Sequence, residues 1–408
     1  MRPRVTTALY QTSARVWLTL AALSFLLPLR WRLGLWLPLH LTLAGAVSTA
    51  ISGAMQNFML SLTASPDPPE RVVRAQFGLV TAGAALIAIG MPTTTPWLTG
   101  LGGAAFVGAM GTLGWMLRRA WRRALNVRHP VPLFAYAAAI SFVLLGGMFG
   151  ALMGSRAVTG AFSVQMKHAH MTANILGWAS LTVVGTLITL LPTVLRVRMP
   201  PRRERAVIGL LIGGVVLQLA GWLVNSTPVL AIGGVVFAAG ALGFVGFVTA
   251  VLRTERTWAI PAAAFHMLAA FAWFVAGSIG LAIALFDGAA GADRYREVFL
   301  TAFVGGWLVQ VLLGAWSYLL PMARPGHPTE RRRWLWAFEL AAPVQVALLN
   351  AGLVLLAGRG AGWLGPGLGR AGAVLAFTGG GIALAKAWLF AATDWPASTD
   401  RARAVWGE

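Results

Sequence analysis

Cysteine is absent from this sequence of 408 residues. Its absence excludes disulfides, thiolate metal sites, iron–sulfur clusters and covalent heme attachment through a Cys-x-x-Cys-His motif. Acidic residues are also scarce, with 12 Asp and Glu against 32 Lys and Arg, which gives a formal net charge of +20. Any bound metal or heme must therefore be held by histidine, methionine or one of the few carboxylates.

Charged residues of both signs make up only 11% of the chain, whereas 58% is hydrophobic and the mean hydropathy is +0.73. This composition is typical of a polytopic membrane protein. We predict an all-α fold with about twelve transmembrane helices in a single membrane domain over 1–408. The apolar segments lie at about 16–29, 35–60, 75–91, 97–117, 131–154, 166–195, 206–224, 229–252, 258–286, 297–322, 334–357 and 367–391.

The basic residues are concentrated in short loops between these segments. With the N-terminus in the cytoplasm, the cytoplasmic segments hold 23 Lys and Arg and the outer segments hold eight. This bias follows the positive-inside rule and predicts both termini inside a plasma (inner) membrane, with 392–408 as a cytoplasmic tail. The charge then reflects topology in a lipid bilayer, and no nucleic-acid partner is predicted.

One helical pattern recurs along the chain. The segment 170–192 has a Gly-Trp pair, a later Gly and a Pro, and 299–321 has all of them at the same spacing. A looser copy near 40–60 keeps two glycines eight residues apart. Internal similarity at a fixed period indicates a repeat architecture.

Glycines in the intervening segments agree with this period, because Gly90, Gly221 and Gly352 are each separated by 131 residues. Small residues at such positions allow transmembrane helices to approach closely. We therefore predict three pseudo-symmetric units of four helices each, over about 1–129, 130–257 and 258–391.

Four of the six histidines fall within apolar segments, where an ionisable side chain is a candidate functional residue. His168 and His170 lie at the predicted outer end of the sixth segment. Residues two apart on a helix point about 200° away from each other, so this pair is predicted to face two different cavities. Asn174 follows one turn after His170. The alternative is a pair of interfacial histidines that bind lipid or loop carbonyls.

His40 occupies the equivalent place in the first unit, at a depth similar to that of His170. Two imidazoles at one depth on equivalent helices are the arrangement that a bis-histidine heme requires. His266 lies at another depth and is assigned a structural role or a separate site. The two remaining histidines, His129 and His327, lie in basic loops and are expected to be solvated.

Methionines allow a different interpretation of the same region. Met166 and Met171 flank His168 and His170, and thioethers together with imidazoles suit Cu(I). Methionine is also an ordinary filler of apolar cores. A copper site at these four residues is therefore an alternative prediction.

Twelve helices in three arcs, with His-Ala-His-Met at 168–171 and a histidine at 40, resemble the catalytic subunit (subunit I) of heme-copper oxidases and nitric oxide reductases. The stretch equivalent to that family's tenth-helix motif reads Phe299-Leu300-Thr301 and the seventh segment contains no histidine. The chain is therefore similar to a divergent member that lacks the binuclear centre.

This resemblance implies binding of heme b by His40 and His170, with His168 facing a second cavity for another heme or copper. It further implies electron transfer near the extracytoplasmic face, to or from a redox or copper protein, and an oxidoreductase if the chain is an enzyme. A copper-handling membrane protein and a membrane transporter are the competing predictions.

Overall fold

The computed structural model describes residues 3–127, 129–199, 204–254, 260–323 and 328–392. Over these ranges the fold is all-helical without strands, which confirms the predicted class. The predicted tail at 392–408 lies outside the described residues from 393 onward, and so does His327.

Over these ranges, twelve long helices form the body. We name them α1 to α12 in chain order: Pro3–Ser24, Trp36–Thr63, Glu70–Gly90, Pro96–Arg122, Pro130–Gly154, Ala161–Leu195, Glu204–Leu223, Thr227–Arg253, Ala262–Ala284, Arg296–Ala323, Ala342–Gly360 and Pro366–Ala392. Short helices at Leu29–Arg32, Leu285–Asp287, Gly288–Arg294 and Pro328–Glu339 connect them. Among the described residues, the eleven helices from α2 to α12 are long and apolar enough to cross a membrane.

The first and eleventh predicted segments have different boundaries in the structure. The helix predicted at 16–29 runs instead over Pro3–Ser24, and the chain leaves it before Pro28, whose ring disfavours helical geometry in the preceding residue. The segment predicted at 334–357 is split between Pro328–Glu339 and α11. The break lies at Ala341, which has a φ of 54°, two residues before Pro343.

Three helices, α2, α6 and α10, each contain a π-helical segment, at Leu41–Val47, Thr172–Ser180 and Thr301–Val309. Such segments are rare and occur frequently at functional sites. Buried tryptophans connect these helices: Trp178 donates to Ser48 Oγ at 3.1 Å, and Trp307 donates to Ser180 Oγ at 3.0 Å. The three helices therefore meet in the interior of the bundle.

The remaining helices include three tight antiparallel hairpins, α3–α4, α7–α8 and α11–α12. Gly90, Gly221 and Gly352 lie at the contacts within these hairpins. A Cβ atom at any of the three would come within 3.0 Å of the backbone of the partner helix. The repeated glycines therefore have a packing role, since only hydrogen allows the two helix backbones to approach this closely.

Candidate functional site

His40 and His170 come together between α2 and α6, although 130 residues separate them in sequence. Their ring centroids are 6.3 Å apart and the ring planes differ by 13°. A π-helical segment follows each histidine in the chain. The segment in α2 begins at Leu41, and the segment in α6 begins at Thr172. The two helices thus present a pair of nearly parallel imidazoles to one another.

The Nδ1 nitrogen of each ring contacts a backbone carbonyl. His40 Nδ1 lies 2.8 Å from the carbonyl oxygen of Trp36, and His170 Nδ1 lies 2.7 Å from that of Gly146 on α5. Because a carbonyl only accepts, the contact at His40 requires a proton on Nδ1. The shorter contact at His170 requires the same, although its Nδ1 also lies 3.2 Å from Nδ2 of Asn174. The lone pair of each ring is therefore on Nε2, which is the arrangement found in metal-ligating histidines.

The separation of the two rings matches that of two imidazoles on one metal ion. A metal–nitrogen bond of about 2.0–2.1 Å, plus about 1.1 Å from nitrogen to ring centre, places two opposed ring centroids about 6 Å apart. Rings in direct contact would lie closer, as Trp36 does, with its centroid 3.9 Å from that of His40. The rings of His40 and His170 are therefore further apart than rings in direct contact, at a centroid distance compatible with two ligands of one metal ion.

A cavity of about 640 Å³ extends from the two imidazoles. This volume lies within the range of about 300–1,000 Å³ that is usual for cofactor and small-molecule sites. Its lining comes from α2 to α6, α10 and the chain before α2, and most of it is apolar. Three charged residues also line it, Lys167, Arg296 and Glu297.

Glycines on α5 provide the space for His170 and its neighbour. A Cβ on Gly150 would lie 2.7 Å from Cε1 of His170, and a Cβ on Gly146 would lie 2.5 Å from Nδ2 of Asn174. Asn174 in turn donates to the backbone carbonyl of His170 at 2.8 Å. The imidazole of His170 is thus positioned by α5 on one side and by its own helix on the other.

His168 is not among the residues that line this cavity. Its ring stacks on Trp222 of α7, with centroids 4.5 Å apart and planes 17° apart. Its Nε2 lies 3.5 Å from a carboxylate oxygen of Asp293 without forming a hydrogen bond, and Lys167 Nζ lies 3.9 Å from the other oxygen. The structure therefore separates His168 from His170.

The predicted methionines also separate. Met171 lines the cavity, together with Met153 of α5, whereas Met166 is 4% exposed and belongs to the hydrophobic core. Among the described residues, no three His, Asp or Glu side chains cluster in a way that would hold a metal ion. A metal ion in this cavity would thus be bound by the two imidazoles. Its other ligands would be a thioether or groups that enter the cavity together with the metal.

The other two described histidines lie elsewhere. His266 on α9 is fully buried, with Nε2 2.9 Å from Nε2 of Gln345 on α11. His129 precedes the first residue of α5, at the end of that helix opposite to Gly150. Neither is a lining residue of the cavity.

Sequence reasoning missed several supporting residues. Trp36 lies four residues before His40, so that one helical turn brings its ring and its carbonyl to the imidazole. Gly146 and Gly150 are also four apart, which places both on one face of α5. Both spacings are visible in the sequence, but the facing of α5 toward α6 is not.

Neither a known protein-family model nor a curated protein matches this chain. The resemblance to heme-copper oxidases therefore stays a prediction that rests on the residues described above.

Proposed function

We propose that this chain is a membrane redox protein that binds a b-type heme between His40 and His170. The observation that carries the proposal is the ring pair itself: 6.3 Å between centroids, nearly parallel planes and a carbonyl acceptor on each Nδ1. As neutral imidazoles, His40 and His170 would hold the heme iron. Such a heme supplies reversible one-electron transfer when bound.

Cations beside the cavity support this ligand class. Lys167 and Arg296 line the cavity that contains the imidazoles. Ammonium and guanidinium groups form charge-assisted hydrogen bonds with carboxylates, and heme b carries two propionate carboxylates. Lys167 and Arg296 would pair with the propionates, and the apolar lining from α2 and α6 would cover the porphyrin.

We further propose that the chain is built from three four-helix units with twelve spans and both termini in the cytoplasm. The three π-helical segments support this architecture, because they begin at residues 41, 172 and 301 on the second helix of each unit. The Trp-to-Ser bonds from α6 to α2 and from α10 to α6 are a second parallel between the units.

In this topology the imidazole pair lies toward the extracytoplasmic face of the plasma membrane. Electrons would then be exchanged there with a redox or copper protein. We propose that the chain is a divergent relative of heme-copper oxidases without a binuclear centre. In this proposal His168 is not an axial ligand of the same heme, because it packs on Trp222.

A spectrum of the purified full chain tests the proposal. Cells supplied with heme precursor should yield a protein with a sharp alpha band in the reduced-minus-oxidised spectrum, with about one heme per chain. His40→Ala should lose the band, whereas the matched control His129→Ala, a histidine far from the cavity, should keep it. Wild-type protein without the band, or a His40→Ala variant with undiminished heme, would contradict the proposal.

A copper site in the same cavity is the second candidate, because Met153 and Met171 line it together with both imidazoles. Thioether and imidazole ligands favour Cu(I). Metal analysis of the same preparations separates the two proposals. Copper that binds without an alpha band, and that is lost in Met171→Leu, supports copper handling. If neither cofactor is bound, transport or scaffolding is left as the remaining candidate.

A further inference from the structure

Arg15 lies near the middle of α1 and is only 3% exposed. Its guanidinium has five N–H donors. Nη1 donates to the carbonyl of Ala387 at 2.9 Å, and Nη2 donates to Thr12 Oγ1 at 2.8 Å. Nε has no hydrogen-bond partner, and no Asp or Glu among the described residues pairs with this cation.

An unpaired charge in the apolar interior is costly, so it usually has a counter-ion or a function. The surroundings hold this guanidinium in place: its central carbon lies 5.4 Å from the ring centroid of Trp388. That indole in turn donates to Thr19 Oγ1 at 2.9 Å. The side chain is therefore fixed in position while several of its donors are left without acceptors.

Arg15 lines a second cavity, of about 680 Å³, between α1, α2, α6, α10 and the end of α12. Most of the lining is aliphatic, including Ile51, Leu187 and Val311. Along α2, this cavity lies next to the cavity that contains His40 and His170. The α2 residues that line it lie between 47 and 61, and those that line the cavity of the two histidines lie between 36 and 48. One buried cation thus borders a long apolar space.

We propose that this second cavity binds an anionic amphipathic lipid, with the head group on Arg15 and an acyl chain along α2, α6 and α10. A carboxylate or a phosphate oxygen would accept the free Nε–H and the remaining Nη hydrogens, which the planar guanidinium presents as a fork. The aliphatic lining would cover the acyl chain. The inference depends on Arg15 and is independent of the heme proposal.

Binding of three probes to the delipidated full chain tests this. Oleate carries a carboxylate, dioleoylphosphatidylglycerol carries a phosphate, and oleyl alcohol has the same acyl length without charge. Native mass spectrometry and titration in a neutral detergent should show one anionic lipid per chain, with oleyl alcohol at least about tenfold weaker. Preference for oleate or for the phospholipid identifies the source of the anion.

Arg15→Gln should weaken binding of the preferred anionic probe by at least about tenfold and leave oleyl alcohol unchanged. Arg71→Gln is the matched control, because Arg71 is an exposed arginine that does not line the cavity. Equal affinities of the two variants, or equal binding of oleate and oleyl alcohol to the wild type, would overturn the proposal.

Two further variants keep the test decisive if Arg15→Gln does not fold, as judged by circular dichroism. Ala54→Phe fills the lining while Arg15 stays, and should abolish binding of all three probes. Arg15→Lys should keep the preference for anions at lower affinity. Undiminished binding to Ala54→Phe, or crosslinks of a diazirine-bearing fatty acid that map outside α1, α2, α6, α10 and α12, would reject the site.

Discussion

His170 and His168 lie two residues apart on α6, yet their rings have different surroundings. His170 faces α5 and α2, where it donates to the carbonyl of Gly146 and opposes His40 across 6.3 Å. His168 faces α7, where it stacks on Trp222. The difference follows from helical geometry, since a step of two residues turns a side chain by about 200°.

The surroundings of the two rings distinguish a candidate ligand from a packed histidine. Both rings are largely enclosed, but of the two only His170 lines the cavity that contains His40, and a backbone carbonyl contacts its Nδ1. Nε2 of His168 lies 3.5 Å from a carboxylate oxygen of Asp293 instead. The comparison can be tested by changing each side of α6 separately.

The largest effect is expected from His170→Ala set against His168→Ala. His170→Ala removes one of the two proposed heme ligands, and we expect at least about tenfold less heme per purified chain. His168→Ala should retain the heme and lose about 0.5–1.5 kcal/mol of stability with the ring contact to Trp222. Pyridine hemochrome assays and thermal melts measure both. The reverse pattern would assign the ligand to His168.

The next largest effect is expected from Gly150→Val on α5. Its side chain would occupy the space of the His170 ring, so that heme affinity should fall by about tenfold to a hundredfold, as for other supporting partners of ligands. Gly108→Val on α4 is the control, because a Cβ there meets nothing within 4 Å. Heme titration of the apoprotein measures the two. Equal losses would mean that α5 does not position His170.

A smaller effect is expected from the cations that line the cavity. Lys167→Gln and Arg296→Gln should each weaken heme binding by about two- to fivefold, because ion pairs close to solvent contribute little. The losses should shrink at high salt. Arg294→Gln, which changes an exposed arginine outside the cavity lining, should have no effect in the same titration.

The smallest effect is expected from Asp293→Asn, on the His168 side of α6. Its carboxylate is 46% exposed and lies 3.5 Å or more from both of its partners. We expect a change of less than about 1 kcal/mol in stability and no change in heme content. A large loss of heme in this variant would mean that the two sides of α6 are coupled.

Part of the site was predictable from sequence. The glycine spacing predicted that His40 and His170 lie at a similar depth, and helical periodicity predicted that His168 points away from His170. The roles of Gly146 and Gly150 were not predictable, because the sequence around a glycine in a membrane helix does not show which helix it faces. The division of Pro328–Glu339 from α11 was also missed, although Pro343 marks it.

The sequence alone determined the helical, membrane-spanning character of this protein and the positions of its candidate ligands. Both follow from local properties, which are side-chain hydropathy and the fixed geometry of a helix. Only the tertiary structure decided that two imidazoles from α2 and α6 meet across one cavity, and that Arg15 borders another. These contacts depend on how helices that are distant in sequence pack together. That packing results from many contacts between residues far apart in the chain.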